Sequence, residues 1–262
     1  MSSHFRFTRL VFAALSLFLL AGGLPAQPKT ALASTSWTAA FARAAGADSV
    51  VVLAPMELKH PPEYELKPSD LAAVRNAAVV VYAGYEKFAK KLAETAGASG
   101  LLTLRIQTTN APETIKAEAR KIADALGTRE KFEEWVPSFD ALAAETRLRV
   151  LEAYPDRRAV VHKMQRPFAE ALGLDIVGEF GPAEPSPSLV LELVRKKPAL
   201  VLDNYHNPSG FPVAESTGAA YAQLINFPGK DGTRSIEDVY AYNAAALEKA
   251  AAGAPGRAAG AR

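Results

Sequence analysis

Apolar residues recur along this chain in short runs separated by amphipathic stretches, and the alternation is regular enough to predict elements. Residues 30–36 and 50–53 are read as short strands. Ala77-Ala78-Val79-Val80-Val81-Tyr82 is a continuous apolar run, as expected of a strand covered on both faces. Residues 101–106 form a fourth. Helices are predicted between them over 37–45, 71–76 (capped by Ser69 or Asp70) and 86–96. Pro112 opens a helix over 112–126, proline being suited to a first helical position. Gly127 then separates it from 129–154. There Phe132, Trp135, Val136, Phe139, Leu142 and Ala143 share one stripe. A continuous helix of that length would be roughly 40 Å long, bent or restarted at Pro137.

The alternation resumes after Pro155. Strands are predicted at 158–162, 174–180, 199–203 and 220–227, and helices at 166–172, 188–196, 212–217 and 235–250. Strands alternating with helices imply βαβ units and parallel pairing. The predicted fold class is therefore α/β: two lobes, each a mainly parallel sheet flanked by helices, joined by a long rigid helix. The divisions are 27–128 for the N-terminal lobe, 129–155 for the linking helix and 156–250 for the C-terminal lobe. An Ala/Gly/Pro/Arg-biased tail at 251–262 is expected to be disordered.

The first 26 residues stand apart. Arg6 and Arg9 precede an apolar stretch from Leu10 to Leu20 that is too short to span a bilayer, and Leu24-Pro25-Ala26 offers a small-residue cleavage site. A second candidate, Ala31-Leu32-Ala33, would cut into the first strand. The segment reads as a secretory signal peptide, and the mature chain is expected in a periplasm.

Composition narrows the chemistry. The 262 residues are 49% hydrophobic and 22% charged, as for a globular protein with a substantial core. A formal charge of +2 gives no argument for nucleic acid. Absence of cysteine excludes disulfides, thiolate metal sites and iron–sulfur clusters. No His-Glu-x-x-His, Gly-x-Ser-x-Gly, Walker loop or dinucleotide glycine fingerprint occurs, which argues against an enzyme.

Beyond His4 in the signal, the histidines are His60, His162 and His206. Each falls at or just past the C-terminal end of a predicted strand, where open α/β sheets bind ligands. His60 sits in a loop, 56–71, stiffened by Pro61, Pro62 and Pro68. Neutral imidazoles suit divalent transition metals, and Asp203 lies three residues from His206. The candidate ligands are therefore His60, His162, His206 and Asp203, with Glu63 a further carboxylate.

In order, Tyr64-Glu65-Leu66-Lys67-Pro68-Ser69-Asp70-Leu71, Val79-Val80-Val81-Tyr82-Ala83-Gly84, Val160-Val161-His162, Phe168-Ala169, Gly173-Leu174 and Val177-Gly178 form a series. Pro185-Ser186-Pro187 and Ala214-Glu215-Ser216-Thr217-Gly218 continue it. Over about residues 30–250 this order resembles the zinc- and manganese-binding solute-binding proteins of ABC importers, the ZnuA/TroA-like group. The resemblance implies two α/β lobes joined by a long helix, with a metal between them. It matches His162 to a family histidine and Asp203 to an acidic position. The family's first-loop histidine falls at Pro62, two residues past His60. Its second falls in the Thr109-Asn110 region, and its last acid at Asn226. His206 would be a substitute ligand, and the histidine-rich loop of many zinc members is absent.

The expected function is capture of a divalent transition metal, Zn2+ ahead of Mn2+, as cargo for a membrane ABC importer permease, by a monomer that catalyses nothing. The alternatives are an exported zinc hydrolase with Glu63 or Glu65 as general base, and the same scaffold with a non-metal cargo.

Overall fold

The computed structural model describes residues 28–56, 58 and 60–253. The signal-peptide reading and most of the tail lie outside those residues. Two sheets of four parallel strands are present, flanked by helices. The first contains β1 (Thr30–Ala33), β2 (Ser49–Val52), β3 (Val79–Tyr82) and β4 (Leu102–Arg105), in the order β2-β1-β3-β4. The second contains β5 (Arg158–His162), β6 (Asp175–Phe180), β7 (Leu200–Asn204) and β8 (Ala220–Leu224), in the order β6-β5-β7-β8. The same winding occurs twice. Each sheet reverses direction of build between its two central strands, β1/β3 and β5/β7, which is where such sheets open a crevice.

The helices are α1 (Ser36–Ala44), α2 (Pro68–Val74), α3 (Ala89–Ala98), α4 (Pro112–Leu126), α5 (Arg129–Ala153), α6 (Arg166–Leu172), α7 (Pro187–Arg195), α8 (Phe211–Thr217) and α9 (Ile236–Gly253). Several ends differ from the sequence reading, each for a local reason. Strand β1 stops at Ala33 because Thr35 and Thr38 close a capping box, each hydroxyl accepting the other's backbone N–H. Helix α2 begins a turn early, at Pro68. There the Asp70 carboxylate accepts from Lys67 N–H and Tyr64 O–H, both at 2.8 Å. Helix α3 starts at Ala89 rather than Glu86, because the Glu86 carboxylate turns inward to the strand ends. Helix α7 begins at Pro187 rather than 188, because the Ser186 hydroxyl caps it by accepting Leu189 N–H. Helix α5 runs through Pro137 as one assigned helix of 25 residues. Helix α9 extends to Gly253, three residues into the expected tail. Among the described residues no helix is long and apolar enough to cross a membrane.

Strand alternation distributes the core. Val79 and Val81 of β3, and Val161 and Leu202 of the second sheet, face a shared interior with Phe41, Ile115, Phe139, Phe168 and Tyr240. Their neighbours face outward: Val80 packs with Leu32, Phe88 and Leu92, and Val160 with Val201, Phe180 and Leu193. The shared interior belongs to both lobes. Within it, Trp135 stacks on Phe139 at 4.7 Å, and Tyr240 receives the edges of Phe139 and Phe168 at 5.2 Å each. Trp135 also donates its indole N–H to Glu237.

Polar bonds cross between the halves as well. The Tyr240 hydroxyl donates to the Asn110 carbonyl at 2.7 Å, Asn110 donates to the Ile225 carbonyl, and the Ser36 hydroxyl donates to the Pro228 carbonyl. Strand β8 ends at Leu224, short of the predicted 227, because the fully buried Asn243 amide takes the next ladder position. Its oxygen accepts Ile225 N–H at 2.8 Å, and its amide donates to Ile225 C=O at 3.0 Å. Replacing Asn243 with Ala leaves that peptide unit's N–H unpaired in the interior. The expected loss is about 3 kcal/mol of stability, read from the urea midpoint at unchanged slope.

Candidate functional site

A cleft of about 920 Å³ opens where the two sheets' strand ends face each other. From the N-terminal lobe come Thr35, Trp37, His60, Tyr85, Arg105 and Thr109. From the C-terminal lobe come His162, Lys163, Met164, His206, Asn226 and Phe227. Thus His60, His162 and His206, from three separate strand-end segments, line one cavity.

They do not form a ready metal site. Among the described residues no group of three His, Cys, Asp or Glu side chains is placed to hold an ion. The reason differs for each expected ligand. His60 is exposed and precedes the 3-10 turn Pro61–Glu63 at the cleft edge. His162, at the end of β5, is fully buried, and its Nδ1 accepts the Met164 N–H at 3.1 Å. A neutral ring accepting at Nδ1 carries its proton on Nε2, so as placed that nitrogen is a donor and not a ligand. Nε2 is packed against Gly181, whose φ of +79° and missing Cβ make the space. His206 stacks on Phe227 at 3.8 Å and meets Tyr205 edge-on.

Asp203 faces away from the cavity. Its Oδ1 accepts Asn204 N–H, and its Oδ2 accepts Ser209 N–H, Gly210 N–H and the Tyr221 hydroxyl, at 2.7–2.9 Å. The carboxylate is spent on holding the loop that carries His206. Burial and the same carboxylate push the Tyr221 hydroxyl's pKa up. Glu86 does the corresponding work in the other lobe, accepting from the Ser34 hydroxyl, Ala83 N–H and Gly84 N–H. Glu63 and Glu65 are exposed and lie outside the cavity wall, Glu63 near Lys87 at 4.0 Å.

One lining carboxylate was not among the candidates. Glu118 of α4 is buried in the cavity wall. Its Oε1 accepts from Lys121 at 2.8 Å, and its Oε2 has no hydrogen-bond partner among the described residues. The signal was legible: Glu118 falls at helical spacing on the apolar stripe Ile115, Ala119, Ile122.

No protein-family model matches the sequence, and no curated protein matches it. Solved structures do. The Mn-bound periplasmic metal-binding protein of candidatus Liberibacter asiaticus is similar at a TM-score of 0.62 and 17% identity, over 85% of this chain and 99% of its own. FpvC of Pseudomonas aeruginosa, a solute-binding protein in complex with Mn2+, is similar at 0.63 and 17%, over 86% and 97%. The fold is that of the periplasmic metal-binding proteins. AdcAII of Streptococcus pneumoniae is similar at 0.61 and 19%, over 83% of this chain and 98% of its own.

The Thr109-Asn110 region, where the resemblance places the family's second histidine, and Asn226, where it places the last acid, carry no ionisable side chain. Asn110 bonds across to Ile225 and Tyr240, and Asn226 accepts from Gln165 at 2.6 Å. Asn226 lines the cavity, and Asn110, next to the lining Thr109, ties the two halves together.

Two outcomes follow from His162. Burial lowers its pKa below the ordinary value; Asp203 opposes the shift and Lys163 adds to it. The unfolded chain then takes the proton first. Stability from this group is complete above about pH 6.5 and is lost as pH falls from there toward the lower folded value. Urea unfolding of chelator-treated protein should lose stability more steeply over that window than His162→Gln does; equal slopes would refute the assignment. In Gly181→Ala, a Cβ would sit 2.3 Å from His162 Nε2 at a φ of +79°. The expected cost is about 1–3 kcal/mol from the backbone alone, read as a lowered melting temperature.

Proposed function

We propose that this protein is an exported solute-binding protein that captures a divalent transition metal in the interlobe cleft and hands it to an ABC importer. One observation carries the reading: the three histidines at 60, 162 and 206 come from both lobes and line a single cavity. Solved proteins of the same fold hold Mn2+ or Ni2+, which supports a metal cargo. Zinc is favoured over manganese, because imidazole nitrogen suits zinc and oxygen donors suit manganese.

Coordination through His162 requires the Met164 N–H bond to give way, or the ring to turn. His60 and His206 approach from opposite lobes, so the ion would bridge them. The shared core and crossing hydrogen bonds favour a small rearrangement of side chains and of the His60 loop over a wide swing of the lobes. No turnover is expected: the two carboxylates suggested as general bases, Glu63 and Glu65, lie outside the cavity wall.

Calorimetric titration of the metal-free mature chain with Zn2+ and with Mn2+ is the test. Saturable zinc binding at micromolar affinity or tighter is expected, reduced at least about tenfold in His60→Ala and in His206→Ala. Asp203→Asn should lower stability and weaken zinc binding less than His206→Ala does. Absence of saturable binding by either ion would sink the metal reading.

A further inference from the structure

We propose that the metal enters this cleft as a complex with a small organic polycarboxylate, whose carboxylates are taken by Arg105 and Lys163. The inference rests on the metal-cargo reading and names the chemical form of that cargo.

The donor count motivates it. With no group of three His, Asp or Glu side chains placed around one point, the protein supplies only part of a coordination sphere among its described residues. Zinc in proteins takes four donors, and the remainder must come from elsewhere. A chelator carried with the ion supplies them. The size agrees: about 920 Å³ is the scale of an organic-ligand site, whereas a water molecule occupies about 30 Å³.

The charge of the wall points the same way. Arg105, Lys121 and Lys163 line the cavity against one carboxylate, Glu118, which Lys121 already engages. A bare dication would be repelled by that net positive charge; a complex whose carboxylates neutralise the ion would not. Arg105 is held in position. Its Nε donates to the Ala83 carbonyl at 3.3 Å, and its side chain lies across Gly84, where a Cβ would come within 2.5 Å of Nε. Among the described residues neither Arg105 nor Lys163 forms a salt bridge, and the Arg105 side chain hydrogen-bonds only to Ala83. A guanidinium fixed at Nε with its terminal nitrogens unengaged is suited to receive a carboxylate in bidentate fashion. Lys163 offers a second cation from the opposite lobe.

The floor and mouth suit an organic body. Trp37 and the stacked His206–Phe227 pair provide aromatic faces, and Tyr85 and Met164 stand at 50% and 53% exposure among the lining residues.

Calorimetry on the metal-free mature chain tests the proposal with three titrants. They are zinc chloride, the one-to-one zinc complex of pyridine-2,6-dicarboxylate (a planar aromatic chelator with two carboxylates), and that chelator alone. The complex should bind at least about tenfold more tightly than zinc. Arg105→Ala and Lys163→Ala should each weaken the complex about tenfold, with zinc alone little changed and circular dichroism confirming the fold. If the chelator instead strips zinc from the protein and both variants are silent, this proposal is overturned while the metal reading stands. Equal binding of the chelator with and without zinc overturns this proposal, whatever the zinc chloride arm shows. Binding of none of the three overturns this proposal and the metal reading.

Discussion

The lobes of this protein are joined by packing rather than by a tether. Helices α5 and α9 pack against each other, and α9 also packs against β8. The aromatic series Trp135, Phe139, Tyr240 and Phe168 runs through an interior to which both sheets contribute. Parting the halves would expose that interior and strand the Tyr240–Asn110 and Asn110–Ile225 bonds. Apolar burial at about 25 cal/mol per Å² makes such a separation expensive. The cleft is therefore a nearly fixed space.

Each wall of that space is held by a carboxylate that never reaches it. Glu86 ties the ends of β1 and β3, and Asp203 ties the loop after β7. Buried charge is costly unless fully hydrogen-bonded, and both groups accept several N–H or O–H donors. Each fixes a strand-end loop, and the loops carry the lining residues. Positioning and binding are thus divided between different residues of adjacent segments. The cavity is left lined mainly by imidazoles, amides, aromatic rings and cations.

Two residues illustrate how far sequence reasoning reaches at such a site. His162 was legible as a cleft residue because it ends a buried apolar strand in a parallel sheet. That its Nδ1 would be engaged by Met164 N–H was not, since the bond depends on the 3-10 turn at Lys163–Gln165. Asp203 was legible as a strand-end acid beside His206. That its oxygens would turn to Ser209, Gly210 and Tyr221 depends on residues up to 18 positions away.

What the sequence by itself determined is the architecture. The period-2 and period-3.6 patterns, and the proline and glycine punctuation, are local signals that dictate strands, helices and parallel pairing. The order of the motifs pointed to a fold that the solved structures share. Only the tertiary structure decided which polar groups meet. Glu118 in the wall, Arg105 across Gly84, and the bonds of Asn110 and Asn226 all depend on contacts between distant segments. A side chain's chemistry is written at its own position, but its partners are set by how the chain returns to it in space.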